Sequence, residues 1–398
     1  MTSKGPLSIF TRRREIPLWR DERVLQAIAQ VISAFVVIGF IIWIIINFFE
    51  AARGRGLNLG FGFLQEPAEF PISDPILPFD PSRSFGYAFL VGVVKTLLVA
   101  GIGVVLATVL GIIVGLARLS TNWLLNKIAL AYIEIHRNIP LLVLLFLWYF
   151  PVFNSLPPVK DSIVWPGPTY LSERGLYLTW PRLEPGSGIL VISIIFAIVL
   201  ALIAFILLRR RRVATGQQTY HVVISLAILL ILPTAGWFLS GGSPIRMDTP
   251  VLEGFNFTGG MRLTPEFAAL LVGLVTYTAA FIAEVVRAGI QSVHVGQVEA
   301  AKSVGLSSFQ VTSLVIFPQA LRVIIPPLIS QYLNLTKNSS LALLIGYQDL
   351  FGVAKIAINQ AGRAVQVFFM VMATYLTMSL ITSLVLNIYN RRIQLVER

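Results

Sequence analysis

Long apolar blocks alternate with short polar or proline-rich intervals along this chain, and the block lengths set the first expectation. Each block runs for roughly 20 to 30 residues, enough to cross about 30 Å of hydrocarbon as a helix. The pattern predicts eight membrane-spanning helices, at about 24–48, 86–119, 124–150, 189–208, 220–239, 265–290, 318–335 and 364–389. The expected fold class is therefore all-α and polytopic. The first block follows Arg12, Arg13 and Arg14, as a signal peptide would, but its apolar run is too long and no small-residue cleavage site follows, so it reads as a retained helix. Pro140 is expected to bend the third span and Pro233 the fifth. Pro326 and Pro327 are expected to break the seventh. The intervals after the first and third spans carry many prolines, glycines and aromatics, which suits irregular, water-exposed loops.

Composition agrees with this pattern. Only 13% of the 398 residues are charged and 56% are hydrophobic, whereas a soluble domain carries about 25% charged residues. The formal charge of +12 would suit a nucleic-acid partner, but its distribution says otherwise. Eight spans place both termini on one side, and the loops of that side hold about 18 Lys/Arg against about 5 Asp/Glu. The opposite loops hold about 11 against about 12. Basic loops are retained in the cytoplasm, so both termini are expected there and no nucleic acid is implied. A contact between the arginine clusters and anionic lipid is a second expectation. With no cysteine, three scattered histidines and no phosphate-binding G-x-x-x-x-G-K-[ST], the chain offers no metal site, no catalytic residues and no nucleotide site of its own.

The most informative segment is the cytoplasmic break at 291–318. Glu299, Ala300, Ala301 and Lys302 favour a short helix. Gly305 suits its left-handed stop, and Ser307 or Ser308 can cap a second helix running toward Pro318. Small alanines on an exposed face would admit a close partner, with Glu299 adding a charged contact; an ordinary amphipathic loop helix is the plainer alternative.

Glu299-Ala300-Ala301, three residues, Gly305, and then Val315, Phe317 and Pro318 resemble the EAA loop of ABC-importer permeases, with Val and Phe where that pattern has Ile and Leu. Further stretches are similar to polar amino-acid permeases: Glu134, Arg137, Asn138 and Pro140 in one, Glu284 and Arg287 in another, and Asn338-Ser339-Ser340-Leu341-Ala342 in a third. The likeness covers about 87–151 and 264–392, and the larger layout resembles the first permease of general L-amino-acid importers. It implies a type I permease core of five helices, the second, third, sixth, seventh and eighth, plus three extra. The expected divisions are 1–85 (terminus, extra helix, outer loop), 86–153 (core), 154–262 (insertion with two helices), 263–392 (core with the coupling loop) and 393–398 (tail). It also implies partners: a second permease, two ATPase subunits holding ATP and magnesium, and a periplasmic amino-acid-binding protein. No cofactor is expected on this chain. Glu299, Ala300, Ala301, Gly305 and Pro318 would form the coupling contact in an inner-membrane importer.

Ionisable groups inside spans are functional candidates, because burying them unpaired costs several kcal/mol. Glu134 with Arg137, and Glu284 with Arg287, are each three apart and can pair on one helix. Both pairs can be structural; Glu134 and Arg137 are also candidates for the substrate path. Lys95 has no acid three or four positions away and can snorkel, pair across chains or meet a substrate carboxylate. Asn334, Lys337, Asn338 and Ser339 follow the prolines and are placed near the path. A stand-alone secondary transporter is the competing function, and it would need coupling-ion sites near the midplane.

Overall fold

The computed structural model describes residues 22–54 and 59–393; the expectations on the N-terminal segment and the last residues of the tail lie outside these. The chain divides into two units, Met1–Phe63 and Leu64–Arg398. In the first, α1 (Glu22–Gly54) is apolar on all sides, and its most apolar stretch buries nothing within the structure. Such a helix requires a hydrocarbon surround.

The second unit is built on α2 (Phe85–Arg118), α7 (Pro265–Gln291) and α10 (Phe317–Asn338). One side of α2 carries Gly92, Gly103, Ala107, Gly111 and Gly115, all buried. In lipid there is no hydrophobic drive between helices, so close backbone approach must supply the attraction. Gly111 and Gly115 let α7 come against α2 at Ile282, Ala283 and Val286, and Gly103 receives Leu335 of α10. The core sits between these helices, around Ala107, Leu270, Leu274, Ala279, Ile282 and Leu335.

The third expected span is two helices. α3 (Trp123–Asn138) and α4 (Leu141–Trp148) meet at 107°. Ile139 is extended, as a residue before proline tends to be, and Pro140 caps α4 without an N–H to offer α3. Seven helices among the described residues are long and apolar enough to cross a membrane, and eight if the bent pair is one span.

The seventh span departs from expectation: α10 runs unbroken through Pro326 and Pro327. The irregular turns lie on either side, as a π-helical stretch at Val311–Ile316 and a 3-10 stretch at Ser339–Ile345. Neighbouring helices can cover the carbonyls that proline leaves without donors, so the prolines need not interrupt the helix. The chain then turns through α11 (Leu350–Ala361) into α12 (Ala364–Ile393).

Between α4 and α7 the expectation of irregular loops is corrected. α5 (Gly188–Thr215) and α6 (His221–Leu239) form an antiparallel helical hairpin, tied by Ser225 Oγ donating to Ala201 O at 3.1 Å. The flanking segments are strands. β1 (Ile163–Trp165), β2 (Thr169–Ser172), β3 (Gly175–Leu178) and β8 (Met261–Leu263) form an antiparallel sheet in that order. β4 (Trp180–Leu183) pairs with β5 (Ile245–Asp248), and β6 (Val251–Glu253) with β7 (Asn256–Thr258). The aromatic residues in these segments are good strand formers. Tyr177 is buried against Phe257, with ring centroids 4.8 Å apart, and its hydroxyl donates to Asn256 Oδ1 at 2.7 Å.

Candidate functional site

The loop between α7 and α10 folds into a defined short helix, α8 (Val295–Ser303), opened by His294, whose Nδ1 accepts from Gly296 N at 3.1 Å. Its end has the glycine stop. Gly305 is left-handed at φ +86°, its N–H reaches Lys302 O at 3.0 Å, and Leu306 N–H reaches Ala301 O at 3.2 Å. Those two bonds satisfy carbonyls that the helix leaves over, as in a Schellman motif. Ser307 and Gln310 then form a reciprocal capping box that opens α9 (Ser308–Gln310). Caps at both ends of the turn hold α8 at a set angle to the helix that follows.

Exposure separates the expected contact residues. Glu299, Ala300, Gly305 and Pro318 are exposed, whereas Ala301 is 7% exposed. Ala301 therefore faces its own chain, where α8 packs on the π-helical stretch, and the picture of both alanines on an open face is corrected for it. Consecutive helical residues point about 100° apart, so one alanine can face out only if the next turns away. Val295, Val304 and Phe309 are exposed around the same segment and give it an apolar surround.

The intramembrane charges part company. Glu284 and Arg287 pair as expected, with Nη2 2.7 Å from Oε2, and Arg287 Nη1 also donates to Gln291 Oε1 at 2.6 Å. Glu134 and Arg137 form no ion pair. The Glu134 carboxylate accepts from Asn138 Nδ2 at 3.1 Å, and the Arg137 guanidinium sits 5.5 Å from the ring centroid of Phe281 on α7. In the last turn of α3, just before the bend, the arginine finds the neighbouring helix instead of its own.

Lys95 is 2% exposed; Nζ donates to Ser73 O in the loop before α2 at 2.7 Å and lies 4.5 Å from the ring centroid of Tyr347. Its ammonium thus ties the loop before α2 to that helix. It does not line the groove of about 820 Å³ that runs between α2, α10 and α12, past Leu97, Tyr332, Thr336 and Thr377. Of the candidates after the prolines, Lys337 lines a second cavity of about 640 Å³, beside Ser340 and Tyr375. Asn334 is exposed, Asn338 half-buried, and Ser339 fully buried with Oγ donating to Thr336 O at 2.9 Å.

A cluster that sequence reasoning missed adjoins Lys95. Asp349 is fully buried and caps α11, accepting at Oδ1 from Phe351 N and Gly352 N at 3.0 and 2.9 Å. At Oδ2 it takes Tyr375 Oη at 3.2 Å and Thr96 Oγ1 at 3.5 Å. Burial pushes its carboxyl up to about 6, outweighing those four donors, which pull it down. Gly92 leaves room for this contact: a Cβ there would lie 3.0 Å from Leu350 Cα. An aspartate just before the apolar run Leu350-Phe-Gly-Val-Ala is a helix-start signal that could have found it.

Comparison with known proteins places these features in a family. Residues 221–395 match the family described as binding-protein-dependent transport system inner membrane component. The chain is 45% identical over 370 residues to YhdX of Escherichia coli (strain K12), named as an amino-acid ABC transporter permease; the match covers 93% of this chain and 94% of that one. It is 41% identical over 378 residues to the general L-amino acid transport system permease protein AapQ of Rhizobium johnstonii, covering 95% and 94%. A crystal structure of an amino acid ABC transporter with histidines aligns at 22% identity and a TM-score of 0.46, covering 77% of this chain and 95% of that one. With two relatives above 40% identity over more than nine-tenths of both chains, this multi-pass membrane protein belongs to the amino-acid ABC transporter permeases.

Proposed function

We propose that the chain lines part of the pathway of an importer for L-amino acids, and that Glu299 and Ala300 on α8 form its contact with a separate ATPase subunit. The carrying observation is the capped, exposed α8 held between two membrane helices. A rigid protrusion can transmit a push to α7 and α10, whereas a floppy loop would absorb it. Gly305 sets the turn, Pro318 stands at the start of α10, and Ala301 anchors α8 from within. ATP and magnesium would bind on the ATPase, and hydrolysis would occur there. A second, related permease would complete the pathway, and a periplasmic binding protein would deliver the cargo. The charge bias supports a cytoplasmic position for both termini. The names of the relatives favour amino acids as cargo and favour this reading over a stand-alone secondary transporter.

For the cargo path, Lys337 beside its cavity is the favoured candidate, while Lys95 and Ser339 act in positioning. Glu134, Arg137, Asn334 and Asn338 are secondary candidates, and the Glu284–Arg287 pair is structural. The test is Glu299→Lys. Reversing one exposed charge leaves the fold intact and should abolish co-purification of the ATPase and ATP-dependent amino-acid uptake, with membrane insertion kept. Normal association and uptake would remove the coupling assignment.

A further inference from the structure

We propose that the arginine end of the α5–α6 hairpin is a binding site for the phosphodiester headgroup of an anionic phospholipid. α5 is apolar up to its last two turns, which open with Arg209, Arg210, Arg211 and Arg212, all exposed. None of the four takes part in an ion pair among the described residues. The sequence holds no Asp or Glu between Glu184 and Asp248, so no local carboxylate can neutralise them.

The chain folds back on this end and shapes a pocket there. α5 stops at the left-handed Gly216 (φ +71°), and Thr219 Oγ1 donates to Leu208 O at 3.0 Å, drawing the turn against the helix. The resulting pocket of about 260 Å³ is lined by Arg212, Gln218, Thr219 and His221, with Val222 and Val223 at its side. The His221 ring packs near Phe205, with centroids 5.2 Å apart, and its Nδ1 is buried with no hydrogen-bond partner among the described residues. The pocket thus gathers the Arg212 guanidinium, the Gln218 amide and the His221 ring, while the Thr219 hydroxyl proton is committed to Leu208 O. A phosphate can meet the guanidinium in bidentate fashion, which an ammonium could not reproduce.

The surroundings select lipid over a soluble anion. Val222 and Val223 are 50% and 63% exposed, and Leu207, one turn before Arg211, is 58% exposed. Such a surface lies against acyl chains, so the pocket opens where hydrocarbon gives way to headgroups. Basic groups at that level are drawn to an anionic leaflet. The retention of basic loops accounts for a run of arginines, but not for a pocket behind it or for an unpartnered His221.

The experiment uses the full-length chain, purified in detergent with any subunits that accompany it. Binding of phosphatidylglycerol, phosphatidylcholine and inorganic phosphate is measured by native mass spectrometry and by competition. Phosphatidylglycerol should bind at least fivefold more tightly than phosphatidylcholine. Arg212→Gln and His221→Ala should each erase at least that margin, while Arg246→Gln on β5 should leave it unchanged. Arg212→Gln keeps three arginines to hold the topology. If it fails to fold, Arg212→Lys, which retains the charge but loses the planar fork, should still weaken binding at least threefold. Equal affinity for the two lipids, or retention of the margin in the Arg212 and His221 variants, would overturn the proposal. So would displacement of the lipid by inorganic phosphate at equal phosphorus concentration, which would make this a soluble-anion site.

Discussion

The packing of α2 on α7 predicts that two glycine-to-alanine changes on one helix will have opposite effects. A Cβ at Gly111 would lie 2.6 Å from both Cβ and Cγ2 of Ile282 and 3.0 Å from Ala279 O. Carbon atoms rest at about 3.5–4.0 Å, so the contact is short by about 1 Å. The Ile282 Cβ is fixed to its backbone and cannot rotate away, and Ala279 O belongs to the helix itself. The two helices must therefore separate, at an expected cost of about 1–3 kcal/mol for an overpacked contact. Gly101, also on α2, has nothing within 4 Å of its own added Cβ. Both substitutions gain the same helix propensity, about 1 kcal/mol, so the difference between them isolates the packing. Gly101→Ala should stabilise and Gly111→Ala should fall about 1–3 kcal/mol below it. The assay is reversible unfolding of the purified chain in mixed micelles, followed by circular dichroism as the denaturing detergent fraction rises. If the two variants unfold within about 0.5 kcal/mol of each other, the close α2–α7 approach is wrong.

Three further outcomes are expected. Gly305→Val forces a β-branched residue into left-handed backbone at about 1–2 kcal/mol and should loosen the α8 stop, so ATP-dependent uptake should fall while insertion persists, with Gly305→Asn less severe; equal uptake by the Val variant would deny α8 its fixed angle. Lys95→Met keeps the bulk of the stem and removes the bond to Ser73 O, so protease cleavage within 67–84 should quicken in right-side-out vesicles without loss of the helical signal; an unchanged rate would show that the loop is held by other contacts. The Asp349 carboxyl stands at about 6 in the folded chain against an ordinary 3.8. An acid that is harder to ionise when folded withdraws stability as it ionises, so wild type should lose stability relative to Asp349→Asn as pH rises from about 4 to about 6, and run parallel above; parallel curves throughout would place the carboxyl in a wetter setting.

Several parts of this protein are decided by local sequence alone. A block of twenty or more apolar residues has one stable solution in lipid, a helix, and the spans follow from that. The α8 stop at Gly305 and the start at Ser307 follow from cap chemistry that acts over four residues. The three-residue spacing of Glu284 and Arg287 permits their ion pair, but the same spacing leaves Glu134 and Arg137 apart, so spacing alone does not decide it.

Tertiary structure decided the rest, because the deciding partner is distant in sequence. Arg137 leaves Glu134 for the ring of Phe281, which lies 144 positions away on α7. Lys95 finds Ser73 and Tyr347, 22 and 252 positions away, and Asp349 finds Thr96 and Tyr375. Ala301 turns inward and Ala300 outward according to where α8 rests on the segment that follows it. The strands around the α5–α6 hairpin pair β3 with β8 and β4 with β5 across the whole hairpin. No window of neighbouring residues contains that information: a span needs only a solvent and its own backbone, whereas a buried charge or an edge strand needs a particular partner, and the fold alone supplies it.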